Sequence, residues 1–265
     1  MPKTPKKFFN MMKTTAKEIE ETLLSMENDK QRDVSKWFFK TGPGEYGEND
    51  HFLGIRNPQV RLVTKEAWKT TSLPEARKLV HSKWHEVRLC GLLIMDKKME
   101  QAVKHRDDEA TRTIFESYTL MHPYVNNWDL VDLSAYIIAG WWEVLHPEET
   151  LLDDWMKAGD STLWQRRISM VSTWQLMRHD RYREVLQRAS CLLSSKEDLL
   201  HKAAGWMLRE LSKNGGKEEL LAFLDTHVTA MPPTMLRYAI EKFPAPDRQY
   251  WLQRRRGGKN NEDTA

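Results

Sequence analysis

The feature that most constrains the fold is a long succession of segments with helical periodicity. Apolar residues recur three and four positions apart from about residue 8 to residue 255, and short breaks at proline, glycine or asparagine separate the segments. The sequence lacks the alternation of apolar and polar residues that predicts a half-buried strand. Short connections between helical segments are typical of antiparallel helix pairs. We therefore predict an all-α protein.

A weak internal repeat indicates how these helices are arranged. Residues 164–169, Trp-Gln-Arg-Arg-Ile-Ser, resemble residues 199–204, Leu-Leu-His-Lys-Ala-Ala, and residues 84–89 look like an earlier copy. A period of roughly 35 to 45 residues in a helical chain is typical of HEAT-like repeats, which stack into a curved solenoid. We predict a HEAT-like helical repeat solenoid with a concave face, formed by a single domain over residues 1–252.

Composition limits the class of protein. The chain has 265 residues, 30% of them charged and 40% apolar, which is typical of a soluble protein large enough to bury a core. We find no apolar run of transmembrane length and expect no signal peptide. The two cysteines lack CxxC spacing and the nine histidines lack metal-ligand spacing, so we expect a reduced, cytoplasmic protein without a metal. A Gly/Pro-rich loop is predicted at residues 41–50, and a basic, disordered tail at residues 253–265.

The stretch Asn-Asn-Trp-Asp-Leu-Val-Asp at residues 126–132 is the first candidate for a functional site. It follows a His-Pro break, and an asparagine at its start can cap a helix. Trp128 and Asp132 are four positions apart and share one face of that helix. An indole face attracts a cation and a carboxylate compensates its charge. A core tryptophan beside a solvated aspartate is the more common meaning of such a pair, and both interpretations remain open at this point.

Basic residues and tryptophans fall at equivalent positions of the predicted repeats. The net charge of +3 does not by itself identify a nucleic-acid-binding protein, whereas eleven tryptophans make an aromatic cleft plausible. Cationic side chains interleaved with indoles suit a polyanion with stacked rings, and the alternative is a solvated face with packing tryptophans. The residues expected on the concave face are Trp128, Asp132, Arg166, Arg167, Lys202, Trp206 and Arg209.

Four motifs in series resemble a known family. They are Phe-Leu-Gly-Ile-Arg-Asn-Pro at 52–58, Asn-Trp-Asp-Leu-Val-Asp at 127–132, Leu-Trp-Gln-Arg-Arg at 163–167 and Lys-Ala-Ala-Gly-Trp-Met-Leu-Arg-Glu at 202–210. In this order, and over roughly residues 8–245, the chain resembles the AlkD-type DNA alkylation repair family, which consists of HEAT-like repeat DNA glycosylases. The long loop before the first motif departs from the family pattern.

The resemblance implies an activity and a set of site residues. It implies a monofunctional glycosylase that removes cationic N3- and N7-alkylated purines from duplex DNA without base flipping, using no metal or organic cofactor. It further implies a monomer that acts on double-stranded DNA, does not bind membranes, and associates with the bacterial nucleoid when bound to DNA. The catalytic residues implied are Asp132, Trp128, Trp206 and Arg167. The DNA-binding residues expected are Arg56, Arg61, Arg166, Lys202, Arg209 and Trp37.

Two other functions remain open from the sequence. One is a non-catalytic HEAT-like module that binds nucleic acid, and the other is a protein-binding solenoid with tryptophans as hot spots. A DNA affinity that falls steeply with salt distinguishes the first from the second. No histidine stands in the matching motifs as a general acid and no lysine stands there as a Schiff-base nucleophile, so we expect neither excision of neutral bases nor a lyase step.

Overall fold

The computed structural model of the chain describes residues 14–262, with side chains through residue 257. Within that range the secondary structure consists of fourteen α-helices, one 3₁₀ turn and their connections, and no strand forms. The all-α prediction is therefore confirmed. The predicted helical pattern around Phe8 and the absence of a signal peptide concern residues outside the described range. No helix of the described chain combines the length and apolar character that crossing a bilayer requires.

The chain divides into two compact units, Met1–Ser134 and Ala135–Ala265. The single domain predicted over residues 1–252 and its concave face remain predictions. The helices of the first unit are α1 Ala16–Leu24, α2 Asp29–Phe38, α3 Asn57–Ala67, α4 Leu73–Val80, α5 His85–His105 and α6 Asp108–Leu120, followed by the start of α7 Trp128–Leu145. The second unit continues α7 and adds α8 Leu151–Lys157, α9 Leu163–Met177, α10 Tyr182–Cys191, α11 Asp198–Lys213, α12 Lys217–His227, α13 Pro233–Ala239 and α14 Ala245–Glu262.

Helix α5 is the centre of the first unit. It packs against α3, α4 and α6, and nearly all its side chains from His85 to Met95 are buried, which explains its lack of an amphipathic pattern. Burying a leucine or isoleucine side chain contributes about 1.5–3 kcal/mol, so this helix carries much of the stability of the unit. Its first turn is different, because His85, Glu86 and Arg88 are buried there as well.

Gly54 lets the 52–58 motif approach α2 closely. The residue has a φ of +81°, and a Cβ atom at this position would lie 2.2 Å from the Asn28 carbonyl oxygen. The Asn28 backbone N–H donates to the Leu53 carbonyl oxygen at 2.9 Å, which ties the start of α2 to the same segment. Only glycine adopts this conformation without strain at such close range. The contact positions α2 beside the motif.

Helix α11 occupies the corresponding central place in the second unit, between α9 and α13. The glycine of the 202–210 motif, Gly205, faces α13. A Cβ atom there would lie 2.5 Å from the Met235 carbonyl oxygen and from the Cβ of Tyr238. The glycine of this motif is therefore required for close packing of two helices, and the half-buried Trp206 follows directly after it.

The structure differs from the predicted disordered tail at residues 253–265, because α14 continues through Glu262. Trp251 is buried at the start of this segment. Arg254 pairs with the Asp225 carboxylate and also donates to the Asp225 carbonyl oxygen, and Arg255 Nε donates to the Met231 carbonyl oxygen at 2.7 Å. The contact of Arg254 with the Asp225 carbonyl group, in the last turn of α12, is favoured by the helix dipole. Residues 263–265 lie outside the described range.

Candidate functional site

The candidate site is a cleft of about 400 Å³ within the first unit. It lies between α2, the 52–58 motif, the start of α5 and the start of α7. Its apolar wall includes Val34, Phe38, Phe39, Phe52 and Trp128. Its charged lining includes Arg56, His85, Glu86, Asp129 and Asp132. The cleft therefore combines stacked aromatic rings with carboxylates, the combination that suits a flat cationic group.

Trp128 and Asp132 meet in this cleft, as their spacing predicts. Both side chains are half-buried and both line the same cavity. The Trp128 ring stacks on Phe39 with centroids 5.4 Å apart, and the edge of Phe38 approaches it at 5.7 Å. These contacts are offset or edge-to-face arrangements that favour aromatic pairs. The indole is thus held by α2 while the carboxylate lies one turn further along α7.

The first turn of α7 is fixed by side chains that precede it. Asn127 is fully buried; its Oδ1 accepts from the Trp128 backbone N–H at 2.8 Å, and its Nδ2 donates to Asp50 Oδ2 at 2.9 Å. Asp129 Oδ1 accepts from the Leu130 backbone N–H at 2.8 Å. Asn127 therefore does begin the helix, and its amide also connects the helix to a loop 77 positions earlier in the chain.

A buried histidine lies at the floor of the cleft, and sequence reasoning missed it. His85 Nδ1 lies 2.7 Å from Asp50 Oδ2, and His85 Nε2 lies 2.8 Å from Asp129 Oδ2. Burial by itself lowers the pKa of His85, but the carboxylates of Asp129 and Asp50 outweigh it and raise the pKa to about 10. His85 is therefore an imidazolium at neutral pH, and both of its nitrogens donate to carboxylates.

The same cluster holds Asp50 ionised. Burial raises the pKa of Asp50, but His85, Arg88 and Asn127 together lower it to about 2. Arg88 Nη2 donates to Asp50 Oδ1 at 2.7 Å and to Asn126 Oδ1 at 3.2 Å. Two cations and two carboxylates are thus buried together with direct hydrogen bonds, the condition under which buried charges are tolerated.

Glu86 also lines the cleft. Its buried carboxylate accepts hydrogen bonds from the backbone N–H groups of Leu53 and Gly54 at 2.8 Å and of Ile55 at 3.0 Å. Three converging N–H groups satisfy one carboxylate without a cation. The signal that could have revealed these residues is the run His-Glu-Val-Arg at the start of an otherwise apolar helix, which we interpreted only as a repeat copy.

The predicted DNA-binding residues of the first unit are exposed. Arg56 lines the mouth of the cleft, with its Nε donating to Gln31 Oε1 at 3.1 Å, and Arg61 lies on the exposed face of α3. Trp37 is 82% exposed on α2. It does not line the cleft, whereas its neighbour Phe38 does. Their contacts with DNA remain predictions.

The other predicted residues lie on α9 and α11 of the second unit. Arg167 is buried and its Nη1 donates to the Leu199 carbonyl oxygen, whereas the adjacent Arg166 is half-buried and donates to the Ala158 carbonyl oxygen at 2.9 Å. Lys202 pairs with Asp198 at 2.8 Å. Arg209 pairs with Glu241 and, at 3.3 Å, with Glu210. A phosphate would have to compete with these carboxylates for Lys202 and Arg209. The roles of these residues remain predictions.

Comparison with known proteins gives a family and a structural relative. The sequence profile of the family described as DNA alkylation repair enzyme matches residues 19–243. No curated protein matches the chain significantly. Among solved structures, the "Predicted DNA alkylation repair enzyme from Enterococcus faecalis" shares the fold with a TM-score of 0.62 and 16% sequence identity, over 89% of this chain and 100% of that chain. The family match covers most of the chain, and it includes all four motifs and the residues of the cleft. The protein therefore belongs to the DNA alkylation repair enzyme family.

Proposed function

We propose that this protein is a monofunctional DNA glycosylase that hydrolyses the N-glycosidic bond of cationic N3- and N7-alkylated purines in duplex DNA without flipping the base. The observation that carries the proposal is that Trp128 and Asp132 line one aromatic cleft, in a chain that belongs to a DNA alkylation repair family. We also propose that it acts as a monomer in the cytoplasm, associated with the nucleoid when bound to DNA.

The chemistry follows from the charge of the substrate. Alkylation at N3 or N7 makes the purine a cation, and cleavage of the bond between C1′ and N9 returns the electron pair to the ring and leaves a neutral base. The deoxyribose becomes positively charged in the transition state. Water then adds its oxygen to C1′ and loses a proton, which yields an abasic site. The enzyme must therefore stabilise a cation on the sugar and position one water molecule.

Asp132 is suited to both tasks. Its carboxylate lines the cleft beside an indole, so in its ionised form it can stabilise the positive charge on the sugar and accept the proton of the attacking water. Trp128 contributes a ring face that favours a cation and excludes bulk water. In the second unit, Trp206 is proposed to contact the sugar as well, and Arg167, with its neighbour Arg166, is proposed to hold a backbone phosphate.

Among the described residues that line the cleft, none is a suitable proton donor for a neutral base. His85 is the one imidazolium that lines it, and both ring nitrogens are already bound to carboxylates at 2.7 and 2.8 Å. Loss of a general acid typically costs 10²–10⁴-fold in rate. We therefore expect the enzyme to depend on a leaving group that already carries positive charge, and to leave uracil and hypoxanthine in place.

The decisive experiment measures release of bases from alkylated duplex DNA by chromatography. The wild-type protein should release N3-methyladenine and N7-methylguanine. Asp132→Asn should reduce the single-turnover rate by about a hundredfold or more, because it removes one positioned charge, while DNA affinity changes little. Glu66→Gln, which changes an exposed carboxylate on α3 of the same unit, is the matched control and should keep the wild-type rate.

Two results would contradict the proposal. Salt-sensitive DNA binding without any base release would identify a non-catalytic nucleic-acid-binding module instead. Efficient excision of uracil from duplex DNA would require a general acid in the site, contrary to the proposed dependence on a cationic leaving group.

A further inference from the structure

We propose that His85 is a positioning residue: its two ring nitrogens are bound to carboxylates, and it holds the first turn of α7 and thereby fixes Trp128 and Asp132 in the cleft. The consequence for catalysis rests on the proposed glycosylase function, whereas the positioning itself does not. Three independent sets of contacts connect His85 to this turn.

The first connection is a direct hydrogen bond. His85 Nε2 donates to Asp129 Oδ2 at 2.8 Å, and Asp129 directly follows Trp128 in the first turn of α7. His85 Nδ1 donates to Asp50 Oδ2 at 2.7 Å. Because a carboxylate holds each ring nitrogen, the ring cannot rotate without losing both bonds. Within the part of the chain that the structure describes, Asp129 is the residue of α7 to which His85 is hydrogen-bonded.

The second connection passes through Asp50. This carboxylate binds His85 and Arg88, and it also accepts from Asn127 Nδ2 at 2.9 Å. Arg88 Nη2 in turn donates to Asn126 Oδ1 at 3.2 Å. Three of the four side chains from residue 126 to residue 129 are therefore bound to the His85–Asp50–Arg88 cluster. A helical turn anchored at three positions has little freedom to shift relative to α5.

The third connection is a stack of rings. The His85 imidazole lies on Phe52, with centroids 4.5 Å apart and an interplanar angle of 25°, and it contacts Phe39 at 5.0 Å. Phe39 stacks on Phe52 at 4.9 Å and on Trp128 at 5.4 Å. The indole of Trp128 therefore stacks on Phe39, and the imidazole of His85 contacts that same phenylalanine ring.

The charges around His85 explain why the contact is specific. The ionisable side chains that face it are Asp50 and Asp129, with Arg88 on the far side of Asp50 and the N–H-bound Glu86 next in sequence. Both carboxylates line the cleft; His85 binds that of Asp129, and Asp132 lies one turn further on. This arrangement separates two carboxylates of one helix into a structural one and a catalytic one.

Two isosteric variants separate the two hydrogen bonds of His85. A glutamine amide places its N–H₂ near the Nε2 position and retains the bond to Asp129, whereas an asparagine amide places it near Nδ1 and retains only the bond to Asp50. Both variants remove the same charge. Each is labelled with 5-fluorotryptophan, and the ¹⁹F resonance of Trp128 is assigned by its absence in a Trp128→Phe protein. Single-turnover release of N7-methylguanine and the melting temperature are measured on the same samples.

We expect His85→Gln to keep the Trp128 resonance and to excise within about fivefold of the wild-type rate. His85→Asn should shift or broaden that resonance and lose excision on the order of 10²-fold, the cost of a misplaced catalytic group, at a melting temperature similar to that of His85→Gln. Unchanged Trp128 resonances in both variants would overturn the proposal. Equal losses in both, following the melting temperature, would also overturn it, because His85 would then support only general stability.

The two proposals can fail separately. A wild-type protein that releases no base, but whose Trp128 resonance is preserved in His85→Gln and disturbed in His85→Asn, would contradict the glycosylase function and leave the positioning role intact. Normal excision by both variants would leave the glycosylase function intact and remove His85 from the site.

Discussion

Each unit of the molecule contains a buried ionic cluster, and the two clusters differ in what they contact. In the first unit, Asp50, His85, Arg88 and Asp129 lie beneath an aromatic cleft. In the second unit, Arg188 binds Glu143, Asp153 at 2.9 Å and Ser172 Oγ at 2.9 Å, and so joins α7, α8, α9 and α10. Both clusters pair guanidinium groups with carboxylates, but only the first contains an imidazole and borders the first turn of α7, which carries the proposed catalytic residues.

The difference indicates that buried charge serves two purposes in this protein. Arg188 Nη1 also donates to the Ser169 carbonyl oxygen at 2.7 Å, so its guanidinium is surrounded by acceptors from packed helices. The partners of Arg188 connect packed helices, and none of them lines the cleft of the first unit. In the first unit the same kind of pairing holds one helical turn, and that turn presents Trp128 and Asp132 to the cleft. We therefore expect damage to the second cluster to reduce stability alone, and damage to the first to reduce both stability and excision.

The largest expected effect on stability comes from Arg188→Met. Removing the guanidinium leaves the buried Glu143 carboxylate without its cation, which typically costs about 3–5 kcal/mol. Urea unfolding at pH 7 measures the loss. Adding Glu143→Gln should recover part of it, because no uncompensated charge then remains. Excision per folded molecule should stay at the wild-type level, and a rate that fell in parallel with stability would remove the distinction between the clusters.

A pH dependence of stability should distinguish the histidine-containing cluster. The folded pKa of His85 is raised to about 10 from an ordinary value near 6.5, so its stabilisation is complete below pH 6.5 and is lost as the pH rises toward 10. At about 1.4 kcal/mol per pH unit, roughly 3 kcal/mol should disappear between pH 6.5 and pH 9. The free energy of unfolding, measured at both values, should show this loss in the wild-type protein.

The matched control for that experiment is His85→Gln, which cannot titrate. Its stability should change less over the same interval, and Arg188→Met should retain the wild-type slope. If the unfolding free energy of His85→Gln changed with pH as steeply as that of the wild-type protein, the pH dependence would come from other groups. Asp50 contributes at the opposite end: its pKa is lowered to about 2, so its stabilisation is present above about pH 4 and is lost as the pH falls toward 2.

The smallest expected effect concerns Asp96, a buried carboxylate outside both clusters. Burial raises its pKa well above the usual value, and its Oδ1 has no hydrogen-bond partner among the described residues. The raised pKa favours the protonated form in the folded state, so stability declines as the pH rises above the ordinary pKa near 4. Asp96→Asn should raise the free energy of unfolding at pH 8 by about 1–2 kcal/mol and change it little at pH 4. A destabilised variant at pH 8 would indicate that a cation compensates Asp96 after all.

Much of the fold and part of the site could be predicted because their signals are local. The 3.6-residue periodicity is set by neighbours along the chain, so it predicts helices without knowledge of what they pack against. The common face of Trp128 and Asp132 follows from the same geometry. The extension of α14 across residues 253–262 could not be predicted in this way, because its arginines are held by acceptors on and after α12, such as Asp225 and the Met231 carbonyl group.

The sequence by itself determined the all-α class, the start of α7 and the pair of side chains that this helix presents, since each depends on residues at most a few positions apart. Only the tertiary structure decided that Asp50, His85 and Asp129 meet, because these residues lie 35 and 44 positions apart and no periodic pattern connects them. It also decided that Gly54 must be a glycine, through a close approach to the Asn28 carbonyl oxygen. Long-range packing brings such groups together. Burial then makes their pairing obligatory, because an unpaired charge in the protein interior costs far more free energy than a charge that is paired and hydrogen-bonded.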